Sequence, residues 1–134
     1  MGSGTTLVEA KLLGRNAVGI DINPQSVSIS ETNLQFHCDT SSKIYIREGN
    51  AAELHFIKDA YIDFICTHPP YADIIKYSEG IEGDISMLGV KSFIDAMDKV
   101  AYEAYRVLKK GKMCAVMILS LIHISEPTRR TPIS

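Results

Sequence analysis

The sequence predicts an α/β fold with a doubly wound, mostly parallel sheet. Two observations carry this. Short apolar, β-branched runs (17–23, 43–47, 61–66 and 113–118) are bounded by turn residues, as strands are. They alternate with stretches of helical period, and alternation of that kind implies parallel strands joined by crossover helices. The order reads loop–α–β–α–β–β–loop–α–β.

The 134 residues suffice for one domain, and 46% hydrophobic content is ordinary for a folded one. No apolar run approaches the roughly 20 residues of a membrane span. The first residues lack the basic head and apolar core of a signal peptide. Cys38, Cys66 and Cys114 are scattered, with no C-x-x-C pair. They read as reduced core residues of a cytoplasmic protein, not as a disulfide framework or a metal site. A net charge of −2 leaves no basic footprint for nucleic acid. Any such grip must come from local lysines or from parts outside this chain.

Gly2-Ser3-Gly4-Thr5-Thr6 opens a short helix through Leu13, with apolar residues at 8, 12 and 13 and Gly14 as its stop. Thr5 or Thr6 can cap it. Backbone N–H groups at such a turn favour a carboxylate or phosphate. A turn of this kind should follow a strand that supplies the central rung, so the first strand is expected to be missing and an apolar edge left unpaired. The strand 17–23 is ended by Pro24. Asp21, near its C-terminal end and roughly 20 residues after the glycine turn, is placed to accept from ribose hydroxyls. The bland alternative is a turn aspartate.

Pro24 to His37 reads as a helix with Val27, Ile29 and Leu34 on one face and Ser26 and Ser28 weakening it. Lys43–Arg47 alternates as a strand. Asn50 at its mouth could read an adenine edge or simply make a turn. Tyr61–Cys66 is a buried strand that runs into Thr67-His68-Pro69-Pro70-Tyr71. Both prolines lack a donor and fix φ, and His68 is pushed to an extended conformation. The result is a stiff strand end, with carbonyls free to face a cleft and an aromatic ring beyond. Residues 72–89 read as a long loop beside that end. Residues 91–108 form the strongest helix, with Phe93, Ile94, Met97, Val100, Ala101, Ala104, Val107 and Leu108 in one stripe. Lys109, Lys110 and Gly111 should end it.

The tail differs. Leu119-Ser120-Leu121-Ile122-His123-Ile124-Ser125-Glu126-Pro127-Thr128-Arg129 resembles the in-frame translation of a sequencing-library transposase adapter. Residues 1–118 are therefore read as a partial catalytic domain and 119–134 as a non-native tail. A natural flexible tail is the alternative.

Met1-Gly2-Ser3-Gly4-Thr5-Thr6-Leu7-Val8-Glu9-Ala10 resembles the cofactor motif of DNA amino-methyltransferases, which form N6-methyladenine or N4-methylcytosine. It lacks the Asp-Pro-Phe that usually opens that motif. Thr67-His68-Pro69-Pro70-Tyr71 resembles their catalytic motif, with His68 where the family has Asp, Asn or Ser. The resemblance spans roughly 1–118 and implies a Rossmann-like fold dependent on S-adenosylmethionine. Gly2, Ser3, Gly4, Thr5 and Thr6 would hold the amino-acid end of the cofactor, Asp21 its ribose and Asn50 its adenine. His68 and the Pro69 carbonyl would hold the target amine, on a strand end stiffened by Pro70, and Tyr71 would stack on a base flipped out of DNA. No metal is implied. A restriction–modification setting is one the resemblance suggests. Neutral imidazole can accept one hydrogen bond and imidazolium none, so activity is expected to fall below pH ~6.5.

Rival readings are weaker or coarser. A nicotinamide-dependent oxidoreductase wants a third glycine where Leu7 stands, and a P-loop wants a lysine that Thr5-Thr6 does not supply. An RNA or protein-amide methyltransferase would share the fold and the strand end. For the 134-residue chain taken by itself, a non-catalytic fragment lacking its first strand is the favoured reading.

Overall fold

The structure is a computed structural model that describes residues 1–69 and 90–118. In chain order it contains α1 (Thr5–Leu12), β1 (Ala17–Asp21), α2 (Pro24–Asn33), β2 (Ile44–Glu48), β3 (Ile62–Thr67), α3 (Val90–Val107) and β4 (Leu108–Val116). The expected α/β class and parallel pairing hold. β1 pairs in parallel with β2, from Ala17 opposite Ile44 to Asp21 opposite Glu48. β3 pairs in parallel with β4, with a register shift between Ile62 and Phe64. Among the described residues the two pairs form separate two-stranded sheets.

α1 starts at Thr5, three residues before Val8, the first of its expected apolar positions. Gly4 is its N-cap at φ 79°, and no side chain caps it, so neither Thr5 nor Thr6 does so. Gly14, at φ 66°, lies just beyond the last turn, where a left-handed residue ends a helix without a Cβ penalty. The inward side chain is Leu7, whereas Leu12 and Leu13 are exposed. Leu7 packs onto Gly19 of β1, where an added Cβ would lie 2.4 Å from Leu7 Cδ1. The strand thus supplies the missing side chain that lets helix and sheet approach closely.

α2 stops at Asn33, four residues short of the expected His37. The carbonyls of Leu34 and Phe36 turn out of the helix to accept from Lys11 Nζ, each at 2.7 Å. At the other end, Asn23 belongs to the cap and not to the strand. Its side chain accepts from the Gln25 amide, with Pro24 following in the first turn.

A second centre, formed by Leu54, Ile57 and Val107, is packed against by Ile20, Ile62 and Ile65. One core therefore touches the C-terminal half of β1, β3 and the end of α3. Arg106 fastens the 54–59 loop to α3. Its guanidinium reaches the carbonyls of Leu54 and Ile57, and the carboxylates of Asp59 and Glu103. Glu103 in turn accepts from the Leu54 amide. The Arg106 stem lies one position from buried Val107, so the polar knot closes over the apolar core.

α3 gives way directly to β4, so Lys109, Lys110 and Gly111 lie in the strand and do not close the helix. Lys109 Nζ bonds both oxygens of Asp63 across the pair, and Lys112 lies 3.7 Å from the same carboxylate. Gly111, at φ 77°, absorbs the register shift. Of the expected α3 stripe, Ile94 and Ala101 are exposed, and the inner face runs through Phe93, Met97, Val100, Ala104 and Val107. Cys66 and Cys114 are exposed and only Cys38 is half-buried, which corrects their reading as core residues. Among the described residues, no helix is long and apolar enough to cross a membrane.

Candidate functional site

The glycine turn and the end of β1 meet directly. Gly2, at φ 58°, and Gly4, at φ 79°, adopt the left-handed conformation that a side chain would strain. The turn is closed by the Gly4 amide donating to the Met1 carbonyl at 3.2 Å. Asp21, the last residue of β1, faces it. Its Oδ2 accepts from the Gly2 amide at 3.3 Å and from the Met1 amino group, while Oδ1 accepts from the Asn23 amide at 2.9 Å. An ionised carboxylate offers about four acceptor positions. Three are taken by these contacts, which leaves room for a further donor.

Two side chains of α2 hold the turn from behind. Ser30, fully buried, donates from its hydroxyl to the Gly2 carbonyl at 3.2 Å. Asn33 donates from Nδ2 to the Ser3 carbonyl at 2.9 Å. Neither belongs to a motif in the sequence. Their i, i+3 spacing, which puts two small polar residues on one helix face, was the available signal.

Asn50 lies two residues beyond β2, whose last residue Glu48 pairs with Asp21. The Gly49 amide donates to the Asp21 carbonyl at 2.9 Å, so the two strand ends are tied. Asn50 Oδ1 accepts from the Ala52 amide at 2.9 Å, the turn role foreseen as the alternative. Its amide group is not engaged by that contact. Ser3, Thr5 and Thr6 are exposed around the turn, with the Ser3 and Thr5 hydroxyls 3.2 Å apart. Gly2 and Asp21 therefore meet at the end of β1, with Ser3, Gly4, Thr5 and Thr6 continuing the turn into α1 and Asn50 two residues beyond β2.

His68 and Pro69 follow the last residue of β3, the first exposed and the second half-buried. The Met117 amide donates to the Thr67 carbonyl at 2.9 Å and extends the ladder to the residue before His68. Pro70 and Tyr71 lie outside the described residues. Ile20 beside Asp21, and Ile65 two residues before Thr67, share one core, which ties the C-terminal ends of β1 and β3 to a common support. Among the described residues, no three His, Cys, Asp or Glu side chains gather as metal ligands.

The family model described as DNA methylase matches residues 1–32, the segment that contains the turn, β1 and Asp21. A probable tRNA (guanine(10)-N2)-dimethyltransferase of Methanothermococcus thermolithotrophicus is 29% identical over 113 residues, which span 81% of this chain and 67% of that protein. A crystal structure of an S-adenosylmethionine-dependent methyltransferase from Methanosarcina mazei superposes with a TM-score of 0.59 at 21% identity. It covers 86% of this chain, which spans only 47% of that one. The chain shares the α/β fold of that methyltransferase structure.

Proposed function

We propose that this chain carries the cofactor-binding part of a methyltransferase acting on an exocyclic amine of a nucleic-acid base. The observation that carries the reading is the left-handed glycine turn set against the Asp21 carboxylate, with Asn50 at the adjacent strand end. These residues suit the cofactor. Gly4 leaves no room for a Cβ, since one would lie 2.7 Å from Ser30 Oγ, so the turn packs directly against α2. Asp21 retains acceptor capacity for ribose hydroxyls. Asn50 keeps an amide group for an adenine edge.

S-adenosylmethionine, when bound, supplies an electrophilic methyl group on a sulfonium. The chain's own part is positioning. An exocyclic amine is a poor nucleophile because its lone pair is delocalised into the ring. The His68 imidazole and the Pro69 carbonyl would accept its hydrogen bonds and draw it toward tetrahedral geometry. Pro70 would stiffen that strand end and Tyr71 would stack on the base. Holding both reactants in line can supply much of the barrier reduction.

The substrate has two readings. DNA, with adenine N6 or cytosine N4 as target, follows from the Pro-Pro-Tyr resemblance and is supported by the methylase match over 1–32. RNA is supported by the longer alignment with a probable tRNA guanine-N2 dimethyltransferase. Guanine N2 is also an exocyclic amine, so the chemistry asked of His68 and Pro69 is the same. The test is transfer of a labelled methyl group to DNA and to tRNA, with the methylated nucleoside identified after digestion. Label in N6-methyladenine or N4-methylcytosine selects the first reading, and label in N2-methylguanosine the second. Binding of the cofactor with no transfer to either polymer would overturn the nucleic-acid assignment.

A further inference from the structure

We propose that Ser30 and Asn33 are positioning residues that aim the glycine turn at the cofactor; the proposal rests on the cofactor reading above. The two side chains grip consecutive carbonyls, Gly2 from Ser30 Oγ and Ser3 from Asn33 Nδ2. In a trans peptide the N–H lies opposite the C=O, and no peptide bond described is cis. Drawing the Gly2 carbonyl toward α2 therefore turns the Ser3 N–H away from α2. The neighbouring amides are already committed, Gly2 to Asp21 and Gly4 to the Met1 carbonyl. The Ser3 amide is thus an outward donor of the turn, beside the first-turn amides of α1, and is suited to the carboxylate at the amino-acid end of the cofactor.

The fit between turn and helix is mutual. Ser30 is fully buried, and a Cβ on Gly4 would lie 2.7 Å from Ser30 Oγ and 2.8 Å from Ser30 Cβ. The position needs a small side chain that can still donate. Glycine turns are the most deformable part of a chain, because glycine has the widest choice of φ and ψ. Two hydrogen bonds from a helix restrict that choice before the cofactor arrives, which lowers the ordering cost of binding.

The test compares Ser30→Ala, Asn33→Ala and Asn33→Gln with the unaltered chain. Cofactor affinity is read by calorimetry, and the unfolding midpoint is read without cofactor. Each alanine variant is expected to weaken S-adenosylmethionine binding roughly fivefold, the scale of one neutral hydrogen bond. Asn33→Gln, which keeps a donor, should recover part of it. A purely structural role would lower the midpoint and leave the affinity of the folded protein unchanged, and that result would overturn the proposal. Asn33 is exposed, so its variants test the idea even where Ser30→Ala folds poorly. Absence of binding by the unaltered chain would instead remove the cofactor reading, and the proposal with it.

Discussion

Asp21 carries the most weight of any single residue. It joins the glycine turn to the start of α2 and has acceptor capacity left over. Replacing it with alanine is expected to weaken S-adenosylmethionine binding about tenfold or more, since hydrogen bonds to a charged acceptor contribute roughly 1.5–3 kcal/mol each. Equilibrium binding of Asp21→Ala measures this, and unchanged affinity would take Asp21 out of the ribose role. At Gly4, alanine meets both a left-handed backbone and Ser30. Gly4→Ala should cost on the order of 1–2 kcal/mol of stability, read by urea titration. The nearness of Asp21 to the glycine turn was legible from its place at a strand end and its spacing from the glycines. The Asn50 turn contact was legible only as one of two options, because asparagine serves both. Ser30 was not legible, since a buried serine shows its purpose only when its partner carbonyl is in place.

Elements pack here by close approach at one glycine and by one polar knot. Gly19→Ala would drive a methyl group into Leu7. It is expected to cost about 1–3 kcal/mol, with Leu7→Val restoring part in the double variant. The knot sets an acid limit. The hydrogen-bonded Arg106 guanidinium, joined by the Leu54 amide and opposed by desolvation, holds the Glu103 carboxyl down from 4.5 to about 2. A carboxyl with a depressed value in the folded state contributes stability above pH 4.5, and that contribution fades as pH falls toward 2. Unfolding midpoints recorded across that window should fall for the unaltered chain and flatten for Glu103→Gln. A parallel fall in both would assign the acid sensitivity elsewhere. The class and order of the elements were readable from alternation and period. The bounds of α3 were readable to within a residue, but the end of α2 and the strand role of Lys109 were not, because Lys11 reaches over to the Leu34 and Phe36 carbonyls and Asp63 draws Lys109 into the strand. Those are contacts between distant residues that no local pattern encodes.

At the scale of the whole molecule, burial among the described residues is thin. Among the described residues the buried apolar side chains are Leu7, Leu54, Ile57 and Val107. Phe64 and its register partner Met113 are 55% and 73% exposed. Apolar surface of this kind favours association. The chain is expected to show a broad thermal transition and concentration-dependent elution in gel filtration. A sharp transition with one elution volume at every concentration would contradict that.

The glycine turn and Asp21 meet directly, and whether they grip the proposed methyl donor is open to direct measurement. Titration of S-adenosylmethionine into the chain, with folding checked by circular dichroism, should give saturable one-to-one heat that Asp21→Ala weakens. A folded chain that yields no heat of binding would contradict the assignment at its root.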